Sequence, residues 1–109
     1  MPRRLLLISL ILASFAATAA ELPQQYTLVI RNHRFEPAQL KVPAGSKFKL
    51  LVENRDATPE EFESTEFNRE KIVPANHAIT VYVGPLPAGR YRFFGDFHQD
   101  TAQGVLVVE

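Results

Sequence analysis

The chain has 109 residues, 12 Lys+Arg balanced by 12 Asp+Glu, three His, no Cys and no Trp. That length holds one domain, and a formal charge of zero argues against nucleic-acid binding, which requires a concentrated basic surface. The only methionine is Met1, so a chain trimmed at its N-terminus holds no sulfur, which excludes cysteine-based mechanisms and thiolate or thioether metal ligation.

The first segment reads as targeting rather than fold. Met1-Pro-Arg-Arg4 is a short positive start, Leu5 to Phe15 an apolar run, and Ala16 to Ala20 a set of small residues. This order is that of a cleavable export signal. The run is shorter than the ~20 apolar residues a spanning helix needs. Ala17-Thr18-Ala19 places the cut before Ala20, giving a signal peptide over 1–19 and a mature domain over 20–109. Without Arg3 and Arg4, ten basic residues face twelve acidic ones. Small exported domains often rely on disulfides; this one must hold together by packing.

The rest is dense in β signals. Tyr26 to Asn32 alternates, with Leu28 and Ile30 opposite Thr27, Val29 and Arg31. Gln39 to Pro43 alternates and breaks at Pro43-Ala-Gly45. Lys47 to Glu53 follows, closed by Asn54-Arg-Asp56, then Ala78 to Val83, ended by Gly84-Pro85. Pro87-Ala-Gly89 turns into Arg90 to Phe94, and Gly104 to Glu109 closes the chain. Strands separated by turn signals every ~10 residues predict an all-β sandwich or barrel. Ser64 to Glu70 reads as a turn or two of helix with Ser64 as N-cap.

Two stretches depart from plain strand composition. Asp56 to Glu66 gathers four glutamates and an aspartate around Phe62, and Phe93 to Asp100 holds Asp96, His98 and Asp100 between two strands. Carboxylates and imidazole suit Fe, Mn, Zn or Cu(II). The competing readings are a solvated acidic loop and a histidine bonded to backbone. His33 and His77 read as turn or strand-end residues.

Asn32-His-Arg-Phe-Glu-Pro37, Leu40-Lys-Val-Pro-Ala-Gly45, Leu51-Val-Glu-Asn54, Pro87-Ala-Gly-Arg-Tyr-Arg-Phe-Phe94 and Gly104-Val-Leu-Val-Val108 stand in the order and spacing of a cupredoxin, and the chain resembles that family over its whole mature length. The resemblance implies a cupredoxin-like Greek-key β-sandwich of about seven or eight strands, with a metal at one end. The family's last loop runs Cys-x-x-His-x4-Met. Here Gly95 stands at the thiolate position, His98 at the histidine, and the axial Met falls near Gln103; the first histidine falls at Glu60 or Glu61. Without a copper–thiolate bond, a blue-copper electron carrier is excluded.

Pro59-Glu-Glu-Phe-Glu-Ser64, Glu70-Lys-Ile-Val-Pro74 and Gly89 through His98 further resemble the small periplasmic cupredoxin-like proteins of bacterial iron-uptake operons. That resemblance implies a periplasmic protein that binds Cu(II) or iron and helps to oxidise Fe(II) or hand iron over, with an iron permease and a periplasmic iron-binding protein as partners. Anionic oxygen ligands favour Fe(III) over Fe(II) and, with one imidazole, Cu(II) over Cu(I). Glu61 and His98 lead as metal ligands, followed by Glu60, Glu63 and Asp96. Strand alternation adds a condition: if Phe62 packs inward, Glu60 shares its side and Glu61 and Glu63 face away. Oxidase activity, if any, belongs to an assembly, because one copper passes one electron. The alternative is a metal-free sandwich that binds a partner protein through Phe94, Phe97 and the acidic loop.

Overall fold

The structure is a computed structural model that describes residues 8–13 and 24–109. Most of the expected signal peptide (1–7 and 14–19), with its cleavage point, lies outside the described residues. Among the described residues no helix is long and apolar enough to cross a membrane.

Among the described residues there are nine strands: β1 (Gln24–Arg31), β2 (Arg34–Glu36), β3 (Gln39–Val42), β4 (Phe48–Asn54), β5 (Glu60–Ser64), β6 (Arg69–Val73), β7 (Ala78–Val83), β8 (Gly89–Gly95) and β9 (Gln103–Val108). They form a four-stranded sheet, β2-β1-β4-β7, and a five-stranded sheet, β3-β9-β8-β5-β6. The β1–β4 and β3–β9 pairs are parallel and the others antiparallel. This is the expected all-β sandwich of the cupredoxin-like class. Its strands number nine rather than seven or eight because short β2 and the acidic hairpin β5–β6 join the runs legible by alternation.

Period-two alternation fills the space between the sheets. Leu28, Ile30, Leu50, Val52, Phe62, Val81, Val83, Phe93, Leu106 and Val108 are all buried. Toward one end Phe35, Phe62 and Phe93 meet at centroid distances of 5.0 to 6.1 Å, edge-on or tilted, the geometries aromatic rings prefer. Gly104 pairs with Phe93, and a Cβ there would lie 2.3 Å from the Phe93 ring. Glycine at 104 therefore makes room for the ring that closes the core.

The helix expected over Ser64 to Glu70 does not form. Ser64 ends β5, residues 65–68 turn, and Arg69 begins β6, with Ser64 opposite Arg69 and Glu63 opposite Glu70. The Ser64 hydroxyl donates to the Arg92 carbonyl (2.6 Å) and accepts from the Phe67 N–H (3.2 Å). The residue that resembles a helix cap instead caps a hairpin turn, a use to which serine is equally suited.

Strands β6 and β7 are the neighbouring edges of the two sheets. Arg69 Nε donates to the Tyr82 carbonyl (2.8 Å) and Lys71 Nζ to the Thr80 carbonyl (3.2 Å). The basic side chains of one edge thus occupy carbonyls of the other, which discourages strand addition there.

Candidate metal centre

Strand β5 is the element from which the site is built. Phe62 packs inward, so Glu60 and Ser64 also point inward while Glu61 and Glu63 face out. The Glu60 side chain is 2% exposed. A carboxylate so deeply placed must be fully partnered. Its Oε1 accepts the N–H groups of Glu61 (3.0 Å) and Phe97 (2.9 Å), and its Oε2 lies 2.5 Å from His98 Nδ1. No buried side-chain polar atom among the described residues lacks a partner.

His98 closes a single 3-10 turn over Asp96–His98. The loop folds on itself: the Ala102 N–H donates to the His98 carbonyl and the Gly95 N–H to the Ala102 carbonyl, both at 2.8 Å. That closure holds the imidazole at the end of the sandwich, where its side chain is 28% exposed. One nitrogen is turned to the buried carboxylate and the ring keeps access to solvent.

Gly95 and Glu60 occupy each other's space. A Cβ at position 95 would lie 2.6 Å from Glu60 Cδ and 2.7 Å from Ala102 Cβ. The Glu60 carboxylate therefore fills the hollow into which a side chain at 95 would project. The two departures from the cysteine-and-histidine pattern are one steric unit, since a thiol at 95 and this Glu60 conformation exclude one another.

His33 reaches the same place from the other sheet. Asn32 and His33 form the two-residue loop between β1 and β2, both with positive φ (52° and 57°), as a tight hairpin of the primed type requires. Asp56 holds that loop: its carboxylate oxygens accept the N–H groups of Asn32 (2.8 Å) and His33 (2.9 Å). Burial works to raise the Asp56 carboxyl, but these N–H groups and the nearby imidazoles outweigh it and hold the group below its ordinary value. Buried Asn54 sets Asp56 in turn, accepting the Asp56 N–H (3.0 Å) and donating to the Thr58 and Val73 carbonyls. Thr101 Oγ1 donates to the His33 carbonyl (2.6 Å), tying this hairpin to the His98 loop. The His33 and His98 rings stack 3.6 Å apart at 12°.

The five expected ligands therefore divide. Glu60 and His98 meet directly. Glu61, ranked beside His98 on sequence grounds, points to the opposite face with Glu63, because alternation from a buried Phe62 leaves it no other side. There the two gather with Glu70, one carboxylate oxygen from each lying within 4.8 Å of the others. Asp96 lies close enough to act on both Glu61 and Glu63, and its Oδ1 accepts from Gln99 Nε2. A hydrogen bond that the protonated Glu61 donates to Glu70, some desolvation and the surrounding carboxylates push the Glu61 carboxyl up to about 7. Desolvation and the charges of Glu70 and Asp96 raise Glu63 as well. Gln103 faces outward and donates to the Gln99 carbonyl (2.9 Å), and exposed His77 bonds the Ala75 carbonyl.

His33 is the residue that the strand reading underrates. Its signal was the Asn-His pair between alternating segments, which marks a two-residue hairpin at the sheet end that also carries the last loop. One donor atom from each of His33, Glu60 and His98 lies within 4.8 Å of the other two. Two imidazoles and a carboxylate fit Cu(II), Zn(II) or Fe(II), and are ill suited to Cu(I), which prefers sulfur. Stacked rings direct their in-plane lone pairs side by side, so a three-ligand centre requires the half-exposed His33 ring to rotate about χ2.

Two outcomes are expected. Gly95→Ala should lower stability by ~1–3 kcal/mol through overpacking, and by less in a Glu60→Ala background. A double-mutant cycle in denaturant measures the coupling; additive effects would contradict the steric pairing. In an NMR titration the Glu61 side-chain carbon should have its midpoint near pH 7 and move toward an ordinary carboxylate value in Glu70→Gln. Because the folded-state value is raised, repulsion in this cluster destabilises the fold as pH climbs toward 7 and is absent in acid. Glu70→Gln should therefore raise Tm at pH 8 and leave it unchanged at pH 4.

The comparisons with known proteins agree with this architecture. Auracyanin A, a blue copper protein from Chloroflexus aurantiacus, superposes with a TM-score of 0.68 at 15% identity, covering 81% of this chain and 100% of that one. A reduced amicyanin mutant gives 0.64 at 21% identity over 85% and 88% of the two chains. The metal-binding domain of a Cu(I)-exporting P-type ATPase from Streptococcus pneumoniae, solved with Cu(I), gives 0.67 at 13% over 78% and 84%. At such identities the likeness is one of fold. An uncharacterized protein of Rickettsia prowazekii (strain Madrid E) is 47% identical over 81 residues, 74% of this chain, and this chain spans 65% of that relative's length. A family model described as the cupredoxin-like domain matches residues 4–108, and the chain belongs to that family.

Proposed function

We propose that this protein is a sulfur-free metal-binding cupredoxin, taking Cu(II) or iron between Glu60 and His98 with His33 as a third ligand. The observation that carries the reading is the approach of a buried carboxylate to an imidazole at the sandwich end, in space that the absent side chain of Gly95 gives to Glu60. Auracyanin and the bacterial ATPase domain are themselves named as copper proteins, which supports copper. Bound here, copper would supply one-electron redox chemistry. Glu60 would provide a fixed anionic oxygen, since two backbone N–H groups already orient it. His98 would give up the proton or hydrogen bond it shares with Glu60, so metal and proton compete and binding weakens in acid.

The role follows from the donor set. Without thiolate or thioether the centre favours the higher oxidation states of copper and iron. That suits Fe(II) oxidation or ferric-iron handover beside a membrane permease and a periplasmic iron-binding protein. The exported domain would begin at Ala20, with residues 1–19 removed. Fe(II) would be substrate, and its electron would pass to an acceptor in the assembly.

One observation favours a metal-free interaction module instead: Glu60 is already satisfied by His98 and two N–H groups, so the fold does not require an ion. A calorimetric Cu(II) titration of residues 20–109 separates the readings. One equivalent should bind without intense blue colour. Glu60→Gln and His98→Ala should each weaken it more than about tenfold, or ~1.4 kcal/mol, whereas Glu61→Gln should leave it unchanged. No binding, or binding insensitive to Glu60 and His98, would reject the centre.

A further inference from the structure

The outer faces of the two sheets treat their charges in opposite ways. On the four-stranded sheet, the carboxylates Glu36 and Glu53 each have an arginine partner and Lys49 an aromatic one. Arg31 pairs with Glu36 (3.7 Å), Glu53 with Arg55 (3.1 Å), and Lys49 Nζ sits 5.6 Å from the centroid of the Tyr82 ring. On the five-stranded sheet charges are segregated. Arg90 and Arg92 on β8 and Lys41 on β3 face outward on one side. Glu61 and Glu63 on β5 and Glu70 on β6 face outward on the other.

Among the described residues, neither Arg90 nor Arg92 has a carboxylate within ion-pair distance, and none of Glu61, Glu63 and Glu70 has a cation. Glu66 lies beside the arginines, but its Oε2 accepts the backbone N–H of Arg92 (2.7 Å). Lys41 has only an exposed contact with Glu109 (3.8 Å). The basic half carries an open groove of about 550 Å³ lined by Arg90, Arg92 and Gln103 among others. Half-buried Phe94 stands at the boundary, opposite both Glu63 and Gln103, and Ile72, 46% exposed, adds apolar surface on the acidic side.

We infer that this face docks on the same face of a second copy of the chain. A two-fold axis in the interface plane, passing between Phe94 and Glu63, lays the Arg90/Arg92 half of each copy on the Glu61/Glu63/Glu70 half of the other. Such an isologous contact needs one self-complementary patch, and a face with the unpaired Arg90 and Arg92 on one side and the Glu61/Glu63/Glu70 cluster on the other is its own complement. A wholly acidic or wholly basic partner would gain on one half and be repelled on the other. The contact gives Arg90, Arg92 and the acidic cluster the ion-pair partners that the monomer does not supply, and it covers Phe94. It is independent of the metal reading.

The test is sedimentation equilibrium of the metal-free mature protein at low ionic strength and pH 8, where the acidic cluster carries its charge. The wild type should show a reversible dimer that dissociates as salt shortens the screening length. Arg90→Glu/Arg92→Glu should be monomeric, and so should Glu61→Lys/Glu63→Lys. An equimolar mixture of these two variants should recover a heterodimer, because both halves are then complementary again. Misfolding cannot produce that recovery. A wild type that stays monomeric to about 1 mM would leave the face to a different partner and overturn the proposal. So would a dimer that survives both charge reversals.

Discussion

The contact between the Glu60 carboxylate and the His98 imidazole is the constraint around which this end of the sandwich is arranged. A carboxyl group excluded from water at a sheet end costs several kcal/mol unless it is hydrogen-bonded. Here two backbone N–H groups and one ring nitrogen partner it. The contact requires β5 to turn Glu60 inward, the 95–102 loop to close on itself, and position 95 to carry no side chain. Each requirement is met by a different segment. The site therefore reports on the whole fold end, and not on a single motif.

The supporting layer is electrostatic as well as steric. Asn54 aims Asp56, Asp56 clamps the N–H groups of the left-handed Asn32-His33 turn, and Thr101 ties that turn to the His98 loop. Three loops from two sheets are thereby held in one geometry without a disulfide. The aromatic cluster of Phe35, Phe62 and Phe93 lies below them, and glycine at 104 gives the Phe93 ring its space. Polar groups at the rim orient the donors, and the apolar layer beneath keeps them from collapsing inward.

Much of this was legible from residue patterns. Alternation located six strands, and the order of turn signals and short motifs pointed to the sandwich and to the end where Glu60 and His98 meet. Parity along β5 also contained the correct division of the glutamates, once Phe62 was taken as the inward residue. Three features were not legible. Glu60 and Glu61 are chemically identical neighbours, and only the burial of Phe62 decides between them. Ser64 carries the same local signal at a helix start and at a hairpin turn, and the Glu63–Glu70 pairing that decides it is a cross-strand fact. His33 lies 65 positions from His98, so their stacking depends on two hairpin ends meeting across the sandwich.

The fold thus presents two groups of carboxylates with opposite characters. One is a single buried carboxylate facing histidines, and the other an acidic cluster in which the hydrogen bond between Glu61 and Glu70, with desolvation and the neighbouring charges, pushes the Glu61 carboxyl up to about 7. The most direct test of the central claim is anomalous scattering at the copper edge from a crystal of the mature protein loaded with one equivalent of Cu(II). One peak within bonding distance of Glu60 Oε2 and His98 Nδ1 is the predicted result. A peak confined to the Glu61, Glu63 and Glu70 face would contradict it.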